Sequence, residues 1–256
     1  MLINSKSGLL ALVALVFLVN LAETSWETKA HTGSPVSTAD HRGAFVIHKL
    51  ENNVVNFEFH DRTPLWAMYA YSVSYFAFLP ILGVSLLVAF ARRREIAPLR
   101  VLCLAVAFDY FISLPWFLLF PVPERWAYPE SNAMLLSDLW SSNLIALIRP
   151  ISALNNSFPS THVSLTVVLI AVCWWFNARL RHTVTALGLT VILSTFVLGI
   201  HWLADIVAGV GVGILSVAIA LRMTDTSERG ALALELGYHA APRKARQVGR
   251  LAKSPA

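Results

Sequence analysis

A nearly charge-free apolar run from Thr183 to Leu221 sets the strongest limit on the fold, because Asp205 is its one charged residue. As a single α-helix the run would be about 58 Å long, at about 1.5 Å per residue. The hydrocarbon core of a bilayer is only about 30 Å thick. The run therefore has to fold back on itself, and its polar break at Gly199-Ile-His-Trp predicts that two membrane spans meet around His201.

The rest of the chain has the composition of a polytopic membrane protein. Its 256 residues are 56% hydrophobic and 14% charged, whereas soluble domains carry about 25% charged residues. The net charge of +5 does not indicate nucleic-acid binding, because most basic residues flank apolar runs or lie in the C-terminal tail. With the folded-back run, four further apolar runs predict an all-α bundle of six transmembrane helices. These four runs are Gly8–Ala22, Leu65–Ala91, Leu99–Val122 and Ser160–Phe176.

Polar segments divide the chain into three predicted parts. They are an N-terminal span with an outer polar loop (1–64), a transmembrane core (65–222) and a basic cytoplasmic tail (223–256). The first apolar run also resembles a signal peptide, but the residues before a cut after Ala22 make a poor small-x-small cleavage site. An uncleaved span is therefore the preferred interpretation, and both interpretations put the following loop outside the cytoplasm.

Two polar loops are predicted outside the membrane, and each carries a short apolar stretch. In the first loop, four apolar residues fall at helical spacing: Val46, Leu50, Val54 and Phe57. This spacing predicts a short surface helix that either lies on the membrane or covers the transmembrane bundle. In the second loop, from Pro123 to Pro159, the apolar stretch is Leu135–Ile148.

The distribution of Lys and Arg predicts the orientation of the chain. With the N-terminus inside and six spans, cytoplasmic segments hold fourteen of the 20 Lys and Arg residues, and the outer loops hold six. Because cytoplasmic loops carry the excess of basic residues, we expect a multi-pass protein of the cell or inner membrane with His162 and His201 on its extracytoplasmic side. Three tryptophans are expected in the aromatic belt at the interfaces: Trp174, Trp175 and Trp202.

His201 and Asp205 are four residues apart, so they share a face if a helix begins at or before His201. The carboxylate would accept a hydrogen bond from one imidazole nitrogen and fix the tautomer, which leaves the other nitrogen for nucleophilic attack. A hydrogen-bonded pair that only caps a helix fits the same spacing.

A second polar cluster, NNSFPSTHVS at 155–164, begins the fourth predicted span at the same depth. His162 would donate a proton to a leaving oxygen, and Ser160 with the N–H groups of the helix start would bind anionic oxygens. One level of the membrane thus gathers a nucleophile, its orienting acid, a general acid and an anion site, which suits phosphoryl transfer. The intramembrane Asp109 is interpreted as a structural hydrogen-bonding residue of the bundle.

The two clusters resemble the motifs of the type 2 phosphatidic acid phosphatase superfamily, over about Tyr69 to Leu221. That family's second motif, Pro-Ser-Gly-His, appears here as Pro-Ser-Thr-His at 159–162. Its third motif is Ser-Arg, five residues, His, three residues and Asp. Here the third motif reads Ser194-Thr195, followed by His201 and Asp205 at the same spacing.

The resemblance implies a role for each of these residues. His201 would attack phosphorus and form a phosphohistidine, and Asp205 would hold the ring. His162 would protonate the leaving group, while Ser160 would help to bind the phosphoryl oxygens. Water, or an acceptor alcohol, would then take the phosphoryl group. The implied partners are a lipid phosphate substrate and the surrounding membrane lipids, and the implied mechanism needs no metal or other cofactor.

The sequence departs from that family in its cationic residues. The third-motif Arg is Thr195 here, and the first motif, Lys, six residues and Arg-Pro, survives only as Arg149-Pro150. The Ser-Thr form of the third motif and the Pro-rich sequence FPVPER resemble the inositol phosphorylceramide synthase branch. The phosphate site would then consist of Ser160 and Thr195 with Arg125 or Arg149, although an outer-loop Arg also fits a contact with lipid headgroups.

The leading prediction is a lipid phosphatase that hydrolyses a lipid or polyprenyl phosphate or diphosphate at the outer face through a phosphohistidine. The alternative within this class is a phosphotransferase that moves a phospho-headgroup between lipids, as in inositol phosphorylceramide synthase. A bis-His haem protein, with His162 and His201 as axial ligands, leaves Asp205 and the Pro-Ser element unexplained. A transporter with Asp109 on its path lacks an evident inverted repeat. The sequence carries no signal of the oligomeric state.

Overall fold

The computed structural model describes residues 5–30, 41–51, 63–133, 135 and 153–239. The eight α-helices in these residues are α1 (Lys6–Ala30), α2 (His41–Glu51), α3 (Leu65–Val73), α4 (Leu79–Ala91), α5 (Ala97–Leu119), α6 (Thr161–Trp175), α7 (Arg181–Val197) and α8 (Leu203–His239). A π-helical turn, Ser74–Phe78, joins α3 to α4, and 3-10 turns follow α5 at Arg125–Ala127 and Pro129–Ser131. The predicted all-α class is confirmed for the described residues, in which the β-structure is one isolated bridge between Val122 and Asn156.

In the described residues, four helical segments are long and apolar enough to cross a membrane: Lys6–Glu27, Leu65–Ala91, Ala97–Leu119 and Leu203–Asp225. The remaining predicted spans correspond to α6 and α7, which are apolar but have 15 and 17 residues. At about 1.5 Å per residue these two helices are about 23 and 26 Å long, less than a hydrocarbon core of about 30 Å. The six-span count and the arrangement of the loops therefore stay predictions.

The predicted break in the 183–221 run is present as the turn between α7 and α8. The N–H groups of Ile200 and His201 both donate to the carbonyl oxygen of Thr195, at 3.2 and 3.0 Å. Gly199 within this turn has a φ of 76°, in the left-handed region where a residue with a side chain is strained. The turn places His201 immediately before the first residues of α8.

α8 packs against α6 at backbone distance through two of its glycines. A Cβ atom added at Gly209 would lie 2.6 Å from the carbonyl oxygen of Ser160, and one added at Gly213 would lie 2.6 Å from that of Ser164. Small residues four positions apart allow helices to approach this closely. The first turn of α6 and the second and third turns of α8 therefore lie in direct contact.

α2 is the short helix that the first outer loop was predicted to contain. Its Ala44 and Ile47 are buried against the segment after α5 and the turn before α8, whereas Val46 and Leu50 are exposed. The helix therefore packs on the protein through residues outside the predicted pattern, and both interpretations of the predicted apolar face stay open. The other two residues of the predicted pattern, Val54 and Phe57, lie outside the described residues, as does the apolar stretch of the second loop.

The predicted place of Trp202 in an interfacial aromatic belt is wrong. Its side chain is 1% exposed and packs against Tyr128 at a ring-centroid distance of 5.9 Å. Its indole N–H donates to the carbonyl oxygen of Pro123 at 3.1 Å, so the ring is satisfied inside the protein. Trp174 and Trp175 are exposed, as residues of a belt would be.

The chain divides into two compact units, residues 1–220 and 221–256. The first unit contains α1 to α7, the start of α8 and every residue of the site described below. In the second unit α8 continues to His239. The predicted three-part division, at 64 and 222, stays a prediction.

Candidate active site

The irregular segment after α5 joins the two motif-bearing segments through backbone hydrogen bonds. On one side it pairs with the residues before α6, and on the other with the turn before α8. The bonds are Val122 N–H to Asn155 O (2.9 Å), Ser157 N–H to Val122 O (3.0 Å), Glu124 N–H to Leu154 O (2.9 Å), Arg125 N–H to Ile200 O (2.9 Å) and Trp126 N–H to Gly199 O (3.0 Å). Because these bonds join main-chain atoms, they hold the two segments side by side independently of the side chains.

Ser160 connects the start of α6 directly to the start of α8. Its N–H donates to the carbonyl oxygen of Asp205 at 3.1 Å. Its hydroxyl oxygen accepts from the N–H of Val163 at 3.4 Å and forms the N-cap of α6. The two motifs, predicted to lie at one depth, are therefore joined by a hydrogen bond.

His201, Asp205 and Ser157 form a buried hydrogen-bond network. The Ser157 hydroxyl donates to Asp205 Oδ2 at 2.6 Å, and the N–H of Trp202 donates to the same oxygen at 2.9 Å. His201 Nδ1 lies 3.0 Å from Ser157 Oγ and 3.2 Å from Asp205 Oδ2. The structure thus brings the predicted His–Asp pair together and adds a serine that contacts both members.

The hydrogen-bond pattern determines which nitrogen of His201 carries a proton. A carboxylate can only accept hydrogen bonds, so the Ser157 hydroxyl gives its single hydrogen to Asp205. The Ser157 oxygen is then an acceptor toward the imidazole, and Nδ1 contacts two acceptor oxygens only if it carries the hydrogen. In this tautomer the lone pair is on Nε2, as a nucleophilic histidine requires.

His162 faces both His201 and an aromatic ring from the π-helical turn. The centroids of the two imidazoles are 6.2 Å apart and their planes are tilted by 52°. His162 also stacks on the ring of Tyr75, with a centroid distance of 4.2 Å and an interplanar angle of 17°. Stacking on a buried ring restricts the orientation of the imidazole. The two histidines predicted from separate motifs are therefore neighbours.

The predicted phosphate ligands Arg149 and Thr195 have different outcomes in the structure. Arg149 lies outside the described residues. The Thr195 hydroxyl donates to the carbonyl oxygen of Ile192, one turn earlier in its own helix, at 2.7 Å. Its carbonyl oxygen holds the turn before His201. In this structure Thr195 is therefore an anchor of that turn, and its predicted phosphate contact would require its hydroxyl to leave the helix bond.

Arg125 lies beside the turn that carries His201. Its guanidinium carbon is 5.3 Å from the ring centroid of Phe196 and 5.9 Å from that of Trp202. Its Nε is buried and has no hydrogen-bond partner among the described residues. Burial lowers the pKa of the guanidinium from its ordinary value, and the nearby Glu51 carboxylate opposes that change. An arginine remains charged under such conditions, so a cation with an available donor lies next to the turn that carries His201.

Glu51, at the end of α2, contacts the start of α8. Its Oε1 accepts from the N–H of Ala204 at 2.8 Å, which satisfies one of the open donors of the helix N-terminus. Burial raises the pKa of this carboxyl, and the charge of Asp205 raises it further. The hydrogen bond from Ala204 and the charge of Arg125 both oppose this increase. Glu51 and Arg125 thus form an electrostatic pair at the edge of the site.

Sequence reasoning missed five residues that shape this site: Ser157, Tyr75, Glu51, Glu23 and Glu27. Glu27 Oε1 accepts from the N–H of Asn155 at 3.1 Å, and the Glu23 carboxylate accepts from Asn156 Nδ2 at 2.8 and 3.0 Å. For Ser157 a signal existed, since it belongs to the same polar cluster as Ser160 and His162. The other four come from distant segments, and no motif spacing points to them.

Asp109 is paired as its interpretation required. Its Oδ2 accepts from the Ser164 hydroxyl at 2.9 Å, which ties α5 to the first turns of α6. No group of three or more His, Cys, Asp or Glu side chains in the described ranges has the arrangement of a metal site.

The family of the chain follows from a family-model match that covers the residues of this site's two motifs. The PAP2 superfamily model matches residues 98–229, which is just over half of the chain and includes both motif segments. No curated protein and no solved structure matches the chain. With its apolar spans, the match identifies an integral membrane protein of a phosphatase and phosphotransferase family. The assignment of the chain to the inositol phosphorylceramide synthase branch stays a prediction. The chain belongs to the PAP2 superfamily.

Proposed function

We propose that this protein is a membrane-embedded phosphoesterase that hydrolyses a lipid or polyprenyl phosphate or diphosphate through a phosphohistidine, at the extracytoplasmic face. One observation carries the proposal: His201 Nδ1 contacts both Ser157 and Asp205, while its ring lies 6.2 Å from that of His162. Membership of the superfamily favours phosphoryl chemistry over the haem-binding and transport alternatives.

In the first half-reaction, Nε2 of His201 attacks the phosphorus atom. A bond forms between Nε2 and phosphorus, and the bond from phosphorus to the ester oxygen breaks. His162 in its protonated form gives its proton to that oxygen, so the leaving group departs as an alcohol or, from a diphosphate, as a phosphate.

Asp205 and Ser157 support the charge that develops on the attacking ring. Phosphorylation of Nε2 makes the imidazole cationic, with its hydrogen on Nδ1 facing the Asp205 carboxylate. The Ser157 hydroxyl and the Trp202 N–H hold that carboxylate in place. A network that is already oriented before reaction lowers the barrier because it need not reorganise.

In the second half-reaction, water attacks the phosphohistidine. The neutral His162 takes a proton from the water, a bond forms between its oxygen and phosphorus, and the bond to Nε2 breaks. Phosphate leaves, and both histidines return to their starting states.

The phosphoryl oxygens would be bound by the start of α6 and by Arg125. The N–H groups of the first turn of a helix, with its dipole, favour an anion. The Ser160 hydroxyl, which accepts from Val163, retains its own hydrogen for a phosphoryl oxygen. Arg125 is the described cation whose Nε is unpartnered among the described residues, and it takes the place of the family's third-motif arginine.

A phosphotransferase is the second candidate, and the observation that favours it is Thr195 in place of that arginine. The first half-reaction is unchanged. In the second, the hydroxyl of an acceptor lipid takes the place of water, and His162 removes its proton. The ratio of free phosphate to phosphorylated alcohol, measured with acceptor alcohols added, separates the two functions.

The test is a phosphate-release assay of the purified protein over a panel of lipid phosphates. His201→Ala and His162→Ala are expected to abolish release while inserting into membranes normally. His182→Ala is a matched control, because His182 lies at the start of α7, where it contacts Trp174 of α6, and has no role in the proposal. Full activity of His201→Ala would show that another residue is the nucleophile.

Trapping the intermediate tests the mechanism separately. Wild-type protein quenched during turnover of a ³²P-labelled substrate is expected to carry acid-labile, base-stable label, and His201→Ala is expected to carry none. Activity is expected to survive EDTA, and strict dependence on an added divalent cation would contradict the phosphohistidine mechanism.

A further inference from the structure

The π-helical turn between α3 and α4 carries Tyr75. A π-helical turn contains more residues than a turn of α-helix, and such turns are frequent at functional sites. The Ser74 hydroxyl at its start donates to the carbonyl oxygen of Ala70 at 2.8 Å. The Tyr75 side chain is 5% exposed, and the ring of Phe76 packs against it edge to face, at a centroid distance of 5.0 Å. The turn therefore places a confined aromatic ring inside the protein.

The ring of Tyr75 contacts both motif segments of the site. It stacks on His162 with a centroid distance of 4.2 Å and an interplanar angle of 17°. It also belongs to a buried cluster with Leu198 and Ile200, which lie in the turn between α7 and His201. One ring therefore packs against the proposed general acid and against the turn that carries the proposed nucleophile.

The orientation of the His162 ring depends on this stack. His201 is held by polar contacts of its Nδ1 with Ser157 and Asp205. In the part of the chain that the structure describes, neither ring nitrogen of His162 has a hydrogen-bond partner, and its aromatic contacts are with Tyr75 and His201. A general acid must come within about 2.6–3.2 Å of the atom that it protonates, so the plane of the imidazole has to be fixed. Near-parallel stacking fixes that plane.

We propose that Tyr75 is a positioning residue for proton transfer, whose ring holds His162 at the angle from which the protonated imidazole reaches the leaving oxygen. Because the same ring packs on the turn before His201, it also keeps the two histidines aligned with each other. This inference rests on the proposed function, in which His162 gives its proton to that oxygen as the bond from phosphorus to oxygen breaks. Tyr75 lies outside residues 98–229, which the family model matches, so membership of the superfamily assigns it no role.

The first test compares two leaving groups. One substrate is an alkyl phosphate, whose alkoxide needs a proton to leave, and the other is a 4-nitrophenyl phosphate with the same alkyl chain on its ring, whose phenolate leaves without one. The measured quantity is kcat/KM for release of the alcohol or phenol, because with a phosphoenzyme it contains only the steps up to that release. Tyr75→Leu removes the flat ring. It is expected to lower kcat/KM about 10- to 100-fold for the alkyl phosphate, as part of the about 10²–10⁴-fold contribution of a general acid, and to stay within about threefold for the nitrophenyl ester. His162→Ala is expected to spare the nitrophenyl ester in the same way.

Two further variants separate positioning from packing. Tyr75→Phe keeps the stacked ring and is expected to stay within about threefold of wild type on both substrates. Tyr71→Leu is the matched control, because Tyr71 packs against the same cluster from α3 and, among the described residues, makes no ring contact with His162. It is expected to keep wild-type kinetics on both substrates.

Three results would overturn the inference about Tyr75. They are an equal loss on both substrates in Tyr75→Leu, an equal loss on the alkyl phosphate in Tyr75→Leu and Tyr75→Phe, and no loss in either variant. The first would mean that the ring only supports packing, and the second that the hydroxyl acts rather than the stack. Failure of the wild type to act on either substrate would instead contradict the proposed function itself.

The second test observes the stack itself and needs no substrate. A proton that lies over the face of an aromatic ring gives an NMR signal at higher field. In protein labelled with ¹³C-histidine in detergent micelles, the ring signals of His162 are identified by their absence from His162→Ala. They are expected at high field in the wild type and in Tyr75→Phe, and at lower field in Tyr75→Leu. Identical His162 signals in the wild type and in Tyr75→Leu would show that the two rings do not stack and would overturn the inference.

Discussion

Ser157→Ala removes one donor from the carboxylate that orients His201. The lost bond is the 2.6 Å contact from the Ser157 hydroxyl to Asp205 Oδ2. The N–H of Trp202, at 2.9 Å, and His201 Nδ1, at 3.2 Å, remain. A hydrogen bond to a charged group contributes about 1.5–3 kcal/mol. If that difference is expressed in the transition state, kcat falls roughly 10- to 160-fold. Because Ser157 does not contact the substrate in the proposed mechanism, KM is expected to change by less than about twofold.

The assay is steady-state phosphate release from a lipid phosphate in detergent micelles, with kcat and KM measured separately. Ser216→Ala is the matched control, because Ser216 is also a fully buried serine and its hydroxyl has no partner among the described residues. It lies eleven residues beyond Asp205 on α8, a distance of about 16 Å along the helix. We expect this control to keep wild-type kinetics and thermal stability.

Two results would refute this reasoning about Ser157. A folded Ser157→Ala variant with a kcat within twofold of wild type would mean that the serine does not support the orientation of His201. A large rise in KM with unchanged kcat would mean that Ser157 binds substrate directly. A slower formation of the acid-labile phosphoenzyme in a rapid-quench experiment would locate the effect in the attack step.

The remaining predictions concern packing, the phosphate site and pH. Gly209→Ala is expected to lower the thermal midpoint, because its Cβ would lie 2.6 Å from the Ser160 carbonyl oxygen and overpacking costs about 1–3 kcal/mol. Gly211→Ala is the control: its Cβ would meet open space, so the thermal midpoint is expected to stay the same or rise. Equal midpoints for the two variants would contradict the close packing of α6 and α8. Arg125→Gln is expected to lower kcat/KM roughly 10- to 160-fold, as for one lost charged hydrogen bond, and an unchanged value would exclude it as a phosphate ligand. Burial raises the pKa of Glu51 above its ordinary value of 4.5, so the folded state binds that proton more tightly and stability falls as pH rises from about 4.5 through the raised pKa. Glu51→Gln, which keeps an acceptor for the α8 N-terminus, is expected to flatten this part of the curve of thermal midpoint against pH; an identical curve would show that the carboxyl does not titrate there.

The helices were largely predictable because membrane insertion imposes simple rules on composition. The predicted span Leu65–Ala91 coincides with a helical segment of the structure, and the break near His201 lies between α7 and α8. The number of spans was less predictable, because apolar composition does not distinguish a long helix from a short one. α6 and α7 have the composition of spans but not the length of the other four.

The candidate site divides in the same way between local and long-range information. His201 and Asp205 lie within one turn of each other, so their spacing predicts their contact. Tyr75 and Glu51 reach the site from the π-helical turn and from α2, and no pattern in the sequence relates those segments to the histidines. Trp202 was misplaced for the same reason, since only packing against α2 and the segment after α5 shows that it is buried.

The polar clusters and apolar runs of this sequence were sufficient to predict a helical membrane protein and a pair of histidines able to transfer a phosphoryl group. Those properties depend on composition and on spacing along one chain segment. The position of His162 opposite His201 and the proton on Nδ1 of His201 depend on contacts between segments far apart in the chain. Such contacts are set by how helices pack and by which backbone groups pair between them, and for this reason the tautomer of His201 and the place of Arg125 beside its turn emerged only from the folded structure.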